Sequence, residues 1–221
     1  MSPRLSRLLL PGLSALLVAA GLYVGLVWAP TERMMGDVYR IMFVHVPAAW
    51  LALVAYTVNV VGCIVYLLRD DRRCDALAEA AAEVGVVLNA IAIVTGSIWG
   101  RPTWGVWWTW EPRLTSVTIM IFSYAGYLAL RAFVDEPERR QNLAAVVGIV
   151  AYVGIPLTWF SVRMWNTLHQ MQSSPATMAP PMVLALRLNA FAFLAIFVWF
   201  VSLRYRVARL RQVHEFAEGE P

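Results

Sequence analysis

The sequence predicts an all-α polytopic membrane protein with six transmembrane helices and both termini on the cytoplasmic side. First, 60% of its 221 residues are apolar and only 14% are charged, against roughly 45–50% and 25% in soluble proteins. Second, six uncharged apolar runs are each close to the about 20 residues that cross a bilayer. Third, the arginines are unevenly divided between alternate loops. Little chain is left for a soluble domain, so residues 1–221 are predicted to form a single membrane domain.

The predicted spans follow the apolar runs in chain order. The first run has a basic start, as in a signal peptide, but its length of about 21 residues exceeds the 7–15 of a signal sequence, so it is interpreted as a retained helix. Pro47 suits the first turn of the second span, and Pro156 is expected to kink the fifth. The six spans cover approximately residues 8–28, 43–68, 84–100, 114–130, 143–162 and 182–203.

The arginines set the predicted orientation. With the amino terminus inside, 12 of the 18 arginines lie on the cytoplasmic face, as the positive-inside rule requires. The basic character therefore follows a membrane rule, and no nucleic-acid partner is predicted. The stretch from Arg204 to Gln212 is interpreted as a juxtamembrane segment held by anionic lipid, with a partner-docking surface as the alternative. Arg187, a turn or so into the sixth span, is expected to snorkel outward.

Several functional classes are excluded by missing motifs. The chain contains no lysine and hence no phosphate-binding loop, so any ATPase must be a partner subunit. It has no C-x-x-C-H haem-attachment motif, and Cys63 and Cys74 imply no disulfide framework. Every Asp and Glu is expected in a loop or at a helix end, which argues against a proton relay. No nucleophile–base arrangement is visible, so the chain is predicted not to be an enzyme.

A tryptophan-rich outer loop, residues 101–113, is the most distinctive feature of the sequence. Five of the ten tryptophans lie between residues 99 and 110. An aromatic belt is the alternative, but a belt spreads over helix ends at both faces. A short helical turn after Pro102 would align the indoles as an apolar shelf, with Arg101 and Arg113 placed to bind carboxylates. The tryptophans of this loop are Trp104, Trp107, Trp108 and Trp110.

Two histidines flank this loop on the same predicted face. His45 lies at the outer start of the second span and His169 in the third outer loop, whereas His214 lies in the cytoplasmic tail. A planar apolar molecule with anionic edges and a metal centre describes haem, and the two histidines could coordinate its iron from opposite sides. A zinc or copper site is the competing interpretation. Its further donors would be Glu32, Asp37, Glu111, Met34, Met35, Met171 and Met178.

Three motifs resemble those of one family of haem-handling proteins. The tryptophan-rich run from Trp104 to Ser116 is similar to its signature, and the segments His45–Trp50 and Trp165–Gln170 are similar to its two histidine motifs. The family is cytochrome c maturation protein C, often called haem exporter protein C, and the resemblance covers nearly the whole chain. One position departs from it, because Glu111 stands where the family usually has Asp.

The resemblance implies a haem carrier of the bacterial cytoplasmic (inner) membrane, with its site on the outer, periplasmic face. His45 and His169 would be the axial ligands of a transiently bound haem b, and the four loop tryptophans, with Arg101, Glu111 and Arg113, would complete the site. The haem would be delivered to a membrane-anchored haem chaperone. The implied partners are the ATP-binding and permease subunits of an ABC-type complex and a small single-span membrane subunit.

Three other functions remain open from the sequence. An electron-transfer protein of the cytochrome b kind would normally bury paired histidines within its helices, whereas these lie at the outer edge. A permease subunit that uses the tryptophan loop only for docking would bind no haem. The larger cytochrome c haem lyases carry the same tryptophan signature but usually have additional histidines and spans.

Overall fold

The computed structural model describes residues 3–169 and 178–218, with side chains for residues 9–169 and 178–217. Within these residues the chain is helical, and no strand is present. A π-helical turn, Val24–Trp28, extends the first helix, and a 3-10 turn, Asp37–Ile41, leads directly into the second. The helices are α1 (Pro3–Tyr23), α2 (Met42–Arg69), α3 (Arg72–Trp104), α4 (Pro112–Phe133), α5 (Pro137–Ala151), α6 (Gly154–Met164) and α7 (Pro180–Glu218).

Six helical segments in the described part of the chain are long and apolar enough to cross a membrane. This confirms the predicted class, an all-α membrane protein with six spans, while the side on which the termini lie stays a prediction. The six segments are Leu9–Trp28, Asp37–Arg69, Arg72–Trp104, Pro112–Phe133, Pro137–Met164 and Pro180–Ala217.

The two prolines singled out in the sequence behave differently. The fifth segment is broken between Ala151 and Gly154, as predicted from Pro156. A proline lacks the N–H and clashes with the carbonyl four residues earlier, here that of Tyr152, so the helix must restart. The prediction that Pro47 lies in the first turn of the second span is wrong. The 3-10 turn leads directly into α2 at Met42, so Pro47 is the sixth residue of this helix and lies beyond its first turn.

Small residues allow α2 and α3, the central pair, to approach closely. A Cβ on Gly62 would lie 2.8 Å from the carbonyl oxygen of Cys74, so no larger residue fits there. Close approach of helix backbones is the usual role of small residues in membrane bundles. The Asn59 amide donates a hydrogen bond to the carbonyl of Ala78 at 2.9 Å, and Asn189 donates to Gly21 at 2.8 Å. These two bonds join α2 to α3 and α7 to α1.

A group of charged and polar side chains, buried except for Arg211, joins α3, α4 and α7 at one end of the bundle. Arg131 donates to both carboxylate oxygens of Asp75, at 2.6 and 2.9 Å, and to Glu79 at 2.9 Å. Arg211 donates to Glu79 and Gln212 to Asp75, both at 2.8 Å. We call these five residues the ion cluster. Placing every carboxylate in a loop or at a helix end was therefore wrong for Glu79, which lies seven residues into α3 and is neutralised there by Arg131.

The ion cluster explains why α3 and α7 are longer than their apolar runs. The predicted third span began at residue 84, but paired carboxylates allow α3 to start at Arg72. Similarly, α7 continues past residue 203 to Glu218, and Arg204 donates to Glu83 at 2.6 Å. Part of the basic tail assigned to lipid is thus paired within the chain, and a lipid contact stays a prediction for its exposed arginines.

Candidate functional site

An open cavity of about 220 Å³ lies between α2, α3, α4 and α6. It brings together both histidines that the sequence singled out, although 124 positions separate them. Its wall is mostly apolar and rich in indole rings. The tryptophans of the wall are Trp50, Trp99, Trp104, Trp107, Trp108 and Trp159.

His45 is held by the backbone of α3. Its Nδ1 lies 3.0 Å from the carbonyl oxygen of Ala92 and 3.1 Å from the hydroxyl of Thr95. The Ala92 carbonyl can only accept, so the neutral ring that satisfies it carries its proton on Nδ1 and keeps a lone pair on Nε2. Gly96 makes room for the ring, because a Cβ there would lie 2.9 Å from the His45 Cε1 atom. Trp99 packs edge-on against the imidazole, with 5.8 Å between ring centroids.

His169 lies on irregular backbone after α6 and contacts two sequence-predicted residues. Its Nδ1 is 3.2 Å from Oε1 of Glu111, and its ring centroid is 5.0 Å from that of Trp104. Burial, with the positive charge of Arg113 adding to it, lowers the pKa of His169 to about 3. The ring is therefore neutral near pH 7, and the contact with Glu111 is a hydrogen bond. As for His45, the bond uses Nδ1 and leaves Nε2 for a metal.

Glu111 connects the tryptophan-rich loop to the His169 segment. It is the N-cap residue of α4, and its side chain is only 9% exposed. The hydroxyl of Thr167 and the backbone N–H of Leu168, the latter at 3.1 Å, donate to its Oε2 atom. Burial raises the pKa of Glu111, while hydrogen bonds from the backbone of Leu114 and Leu168 act in the opposite direction.

The tryptophan-rich loop is not the helical shelf that the sequence suggested. α3 continues through Pro102 to Trp104 and ends at Gly105, whose φ of +81° favours glycine. The following residues are irregular, so the prediction of a helical turn after Pro102 is wrong. The reason is that this left-handed cap stops the helix before the remaining indoles can stack along it. Trp110 is 74% exposed and packs edge-on against Trp108 instead of joining the cavity wall.

The two arginines predicted to bracket the loop are in different positions. Arg113, in the first turn of α4, lines the cavity. Arg101 is exposed and donates to the carbonyl of Gly105 at the end of its own helix. It is not one of the wall residues. The geometry thus separates the two arginines that flank the loop, and the role of each stays a prediction.

Some wall residues were missed by reasoning from the sequence. Trp50 could have been found, because it stands five residues after His45 in the same motif. Trp159 lies on α6 outside any motif, and no sequence signal pointed to it. Met35 was considered only as a copper ligand but lies in the wall, whereas Met34 is 90% exposed. Met171 lies outside the described residues. Within those residues, no three His, Cys, Asp or Glu side chains form a metal site.

The wall fits a flat apolar ligand with a metal centre. Indoles supply large apolar contact areas, two imidazoles use Nδ1 within the protein and leave Nε2 available for a metal, and Arg113 supplies a positive charge for an anionic edge. The indole N–H groups of Trp99 and Trp108 are buried with no hydrogen-bond partner in the described part of the chain. Such donors suit polar atoms of a ligand, because an unpaired buried donor is otherwise costly.

The chain is similar over nearly its whole length to one family of known proteins. The family model described as Heme exporter protein C matches residues 2–218. The chain is 37% identical to the Heme exporter protein C of Bradyrhizobium diazoefficiens over 216 residues, covering 94% of this chain and 82% of that protein. The corresponding protein of Haemophilus influenzae is 34% identical and that of Escherichia coli K12 36% identical, covering 90% and 84% of this chain and 83% and 78% of those proteins. The chain is a multi-pass membrane protein that belongs to the heme exporter protein C family.

Proposed function

We propose that this chain binds haem b in the cavity, with His45 and His169 as axial ligands, and passes it to a haem chaperone. The observation that carries the proposal is that both rings use Nδ1 for hydrogen bonds within the protein, one to Ala92 and one to Glu111. This arrangement fixes the tautomer in which Nε2 can ligate a metal, as is usual for metal-binding histidines. Two such imidazoles that line the same cavity are best suited to ligate an iron ion.

The remaining wall residues would hold the porphyrin. Trp104, Trp107 and Trp108 offer apolar and stacking contact, and Arg113 offers hydrogen bonds to propionates. Trp110 and Arg101 would act only at the rim of the site. The relatives are named exporters, a transport role, and in this chain the residues would bind and orient haem without making or breaking bonds of the porphyrin.

The proposed partners are those of an ABC-type complex. A chain without lysine has no phosphate-binding loop, so ATP hydrolysis would belong to an ATP-binding subunit. The other proposed partners are a permease subunit, a small single-span membrane subunit and the haem chaperone. The proposed location is the bacterial inner membrane with the cavity on the periplasmic face, which rests on the segregation of the arginines.

The visible spectrum of the protein purified from haem-replete membranes tests the haem site. His45→Ala or His169→Ala should each give a five-coordinate or water-ligated haem, and the double variant should lose the haem. His214→Ala, a histidine in the α7 extension, is the matched control and should keep the wild-type spectrum. A double variant with wild-type haem content and spectrum would refute the site.

Thiol labelling tests the orientation. In a chain whose two cysteines are replaced by serine, a cysteine at position 110 should react with a membrane-impermeant reagent from outside. A cysteine at position 138 should react only after permeabilisation. Both positions are well exposed, at 74% for Trp110 and 64% for the Glu138 side chain. The reverse pattern would contradict both the topology and the outer location of the cavity.

A further inference from the structure

We infer that Glu111 is the positioning residue of His169 and that it makes the two axial histidines unequal ligands. The inference rests on the proposed function, because it assigns a role toward the same haem. It concerns an acid to which the family resemblance gave a place in the site but no specific role, and at which glutamate stands in place of the usual aspartate.

Three hydrogen-bond donors converge on this one carboxylate. Oε1 faces Nδ1 of His169, and Oε2 accepts from the Thr167 hydroxyl and the Leu168 N–H. The Thr167 hydroxyl oxygen in turn accepts from the backbone N–H of His169 at 3.0 Å, so this hydroxyl links the backbone of the segment to the carboxylate. An ionised carboxylate has no proton to donate, so Nδ1 of His169 must carry one and Nε2 must not.

The carboxylate also determines where the imidazole lies. Glu111 is fixed at the N-cap of α4, next to Pro112 in the first helical position, whereas His169 is on irregular backbone. Bonds from Thr167, Leu168 and His169 all end on Glu111, so the acid ties the segment to a rigid helix end. Donors face both carboxylate oxygens of Glu111. A glutamine at this position could accept through its one oxygen, but its NH₂ group would face a second donor and form no hydrogen bond with it.

Among the described residues, the other histidine has no charged hydrogen-bond partner of this kind. Nδ1 of His45 faces the carbonyl of Ala92 and the hydroxyl of Thr95, both neutral. A hydrogen bond to a carboxylate increases the basicity of a metal-bound imidazole more than a bond to a neutral acceptor. His169 would therefore be the stronger iron ligand and His45 the weaker, so His45 would be the ligand that leaves first when haem is passed on.

The experiment compares Glu111→Gln, Glu111→Ala and Glu111→Asp in the full-length, haem-loaded protein. The readouts are the reduction potential, the electron paramagnetic resonance spectrum of ferric haem, and the rate of haem loss to excess apomyoglobin. Loss of the hydrogen-bond partner of a metal-binding histidine typically lowers metal affinity about 10–100-fold. Glu111→Gln should therefore speed haem loss about 10–100-fold and raise the potential, because a less basic His169 stabilises Fe(III) less.

Two other variants separate charge from position. Glu111→Ala should also give the spectrum of His169→Ala, because it removes the hydrogen bonds that Thr167, Leu168 and His169 make to this side chain. Glu111→Asp keeps the charge at shorter reach, so its potential should lie nearer to the wild-type value than that of Glu111→Gln. The opposite order would contradict the role of charge. Thr95→Val, which alters only the neutral side, should change the potential less than Glu111→Gln.

The outcomes distinguish failure of this inference from failure of the haem site. If His169→Ala alters the spectrum while Glu111→Gln and Glu111→Ala keep the wild-type potential and haem-loss rate, the inference is wrong and the site stands. If His169→Ala itself has the wild-type spectrum, the proposed function is wrong. Circular dichroism and thermal melting of each variant identify effects that arise only from misfolding.

Discussion

The ion cluster and the cavity both contain buried polar groups, but they satisfy them in different ways. In the ion cluster, Arg131 reaches Asp75 and Glu79 at once, and two side chains of α7 complete the carboxylates. In the cavity, His45 and His169 each bond through one ring nitrogen, and two indole N–H groups have no partner in the described residues. In the cluster the charged groups pair with one another, although Nε of Arg131 has no partner among the described residues, whereas the cavity keeps ring nitrogens and indole donors available.

The difference assigns stability and binding to opposite ends of the same helices. α3 carries Asp75 and Glu79 near its start and Trp99 and Trp104 near its end, and α4 runs from Arg113 to Arg131. Closed ion pairs tie helices together, while open polar groups cost free energy unless a ligand pairs them. The cluster should therefore control folding and the cavity should control haem.

The largest expected effect follows removal of the arginine from the ion cluster. Arg131→Met leaves two carboxylates buried without their main partner, and breaking a buried pair in this way costs about 3–5 kcal/mol. Denaturation in detergent should show the loss, while the fraction that stays folded keeps its haem spectrum. Arg139→Met, at an exposed arginine eight residues further on, is the control. Equal stability of the two variants would remove the distinction between the two ends.

A smaller effect is expected from a tryptophan of the cavity wall. The Trp104 ring contacts that of His169. An aromatic contact contributes about 0.5–1.5 kcal/mol in addition to the burial of its area. Loss of that contact alone in Trp104→Ala should therefore weaken haem binding by about 2- to 13-fold. Titration of the apoprotein with haem measures this. Trp110 does not line the cavity. Trp110→Ala should therefore cost less than the about 0.5 kcal/mol of the weakest aromatic contact, which is a change in affinity of less than about twofold. Equal losses would show that the exposed indole shares in binding.

The two arginines give a sharper comparison at lower energy. A partly exposed ion pair contributes about 0.2–1 kcal/mol, so Arg113→Gln should weaken haem binding by at most about fivefold. The loss should shrink at high salt, which screens such pairs. Arg101→Gln should leave the affinity unchanged, because Arg101 binds its own helix end. Affinity that depends on Arg101 and not on Arg113 would reverse the assignment made from the cavity wall.

The smallest expected effect comes from the partner of His45. Thr95→Val removes a hydroxyl that also donates to Ile91, while the Ala92 carbonyl remains to hold the ring. Because a neutral hydrogen bond contributes about 0.5–1.5 kcal/mol and another acceptor remains, haem affinity should fall by less than about threefold. Free imidazole can then be added to haem-loaded Thr95→Val. If it binds the iron in place of His45, Thr95 has a larger role than predicted here.

The sequence alone was sufficient for the six spans, the break at Pro156 and the family. Apolar runs are local, and each must reach about 20 residues whatever it packs against. The helical break depends on one proline and the carbonyl four residues before it. The candidate residues His45, His169 and Trp104 could be named for a similar reason, since each belongs to a short motif.

Only the tertiary structure decided which of those residues share a wall. Trp107 and Trp110 are equivalent in the sequence, but the cap at Gly105 directs only one of them into the cavity. Asp75 and Arg131 read as loop charges, yet they form a buried pair 56 positions apart. The physical reason is range: hydropathy and helix breaking act within a few residues, whereas charge pairing and cavity shape depend on helices that pack together only after folding.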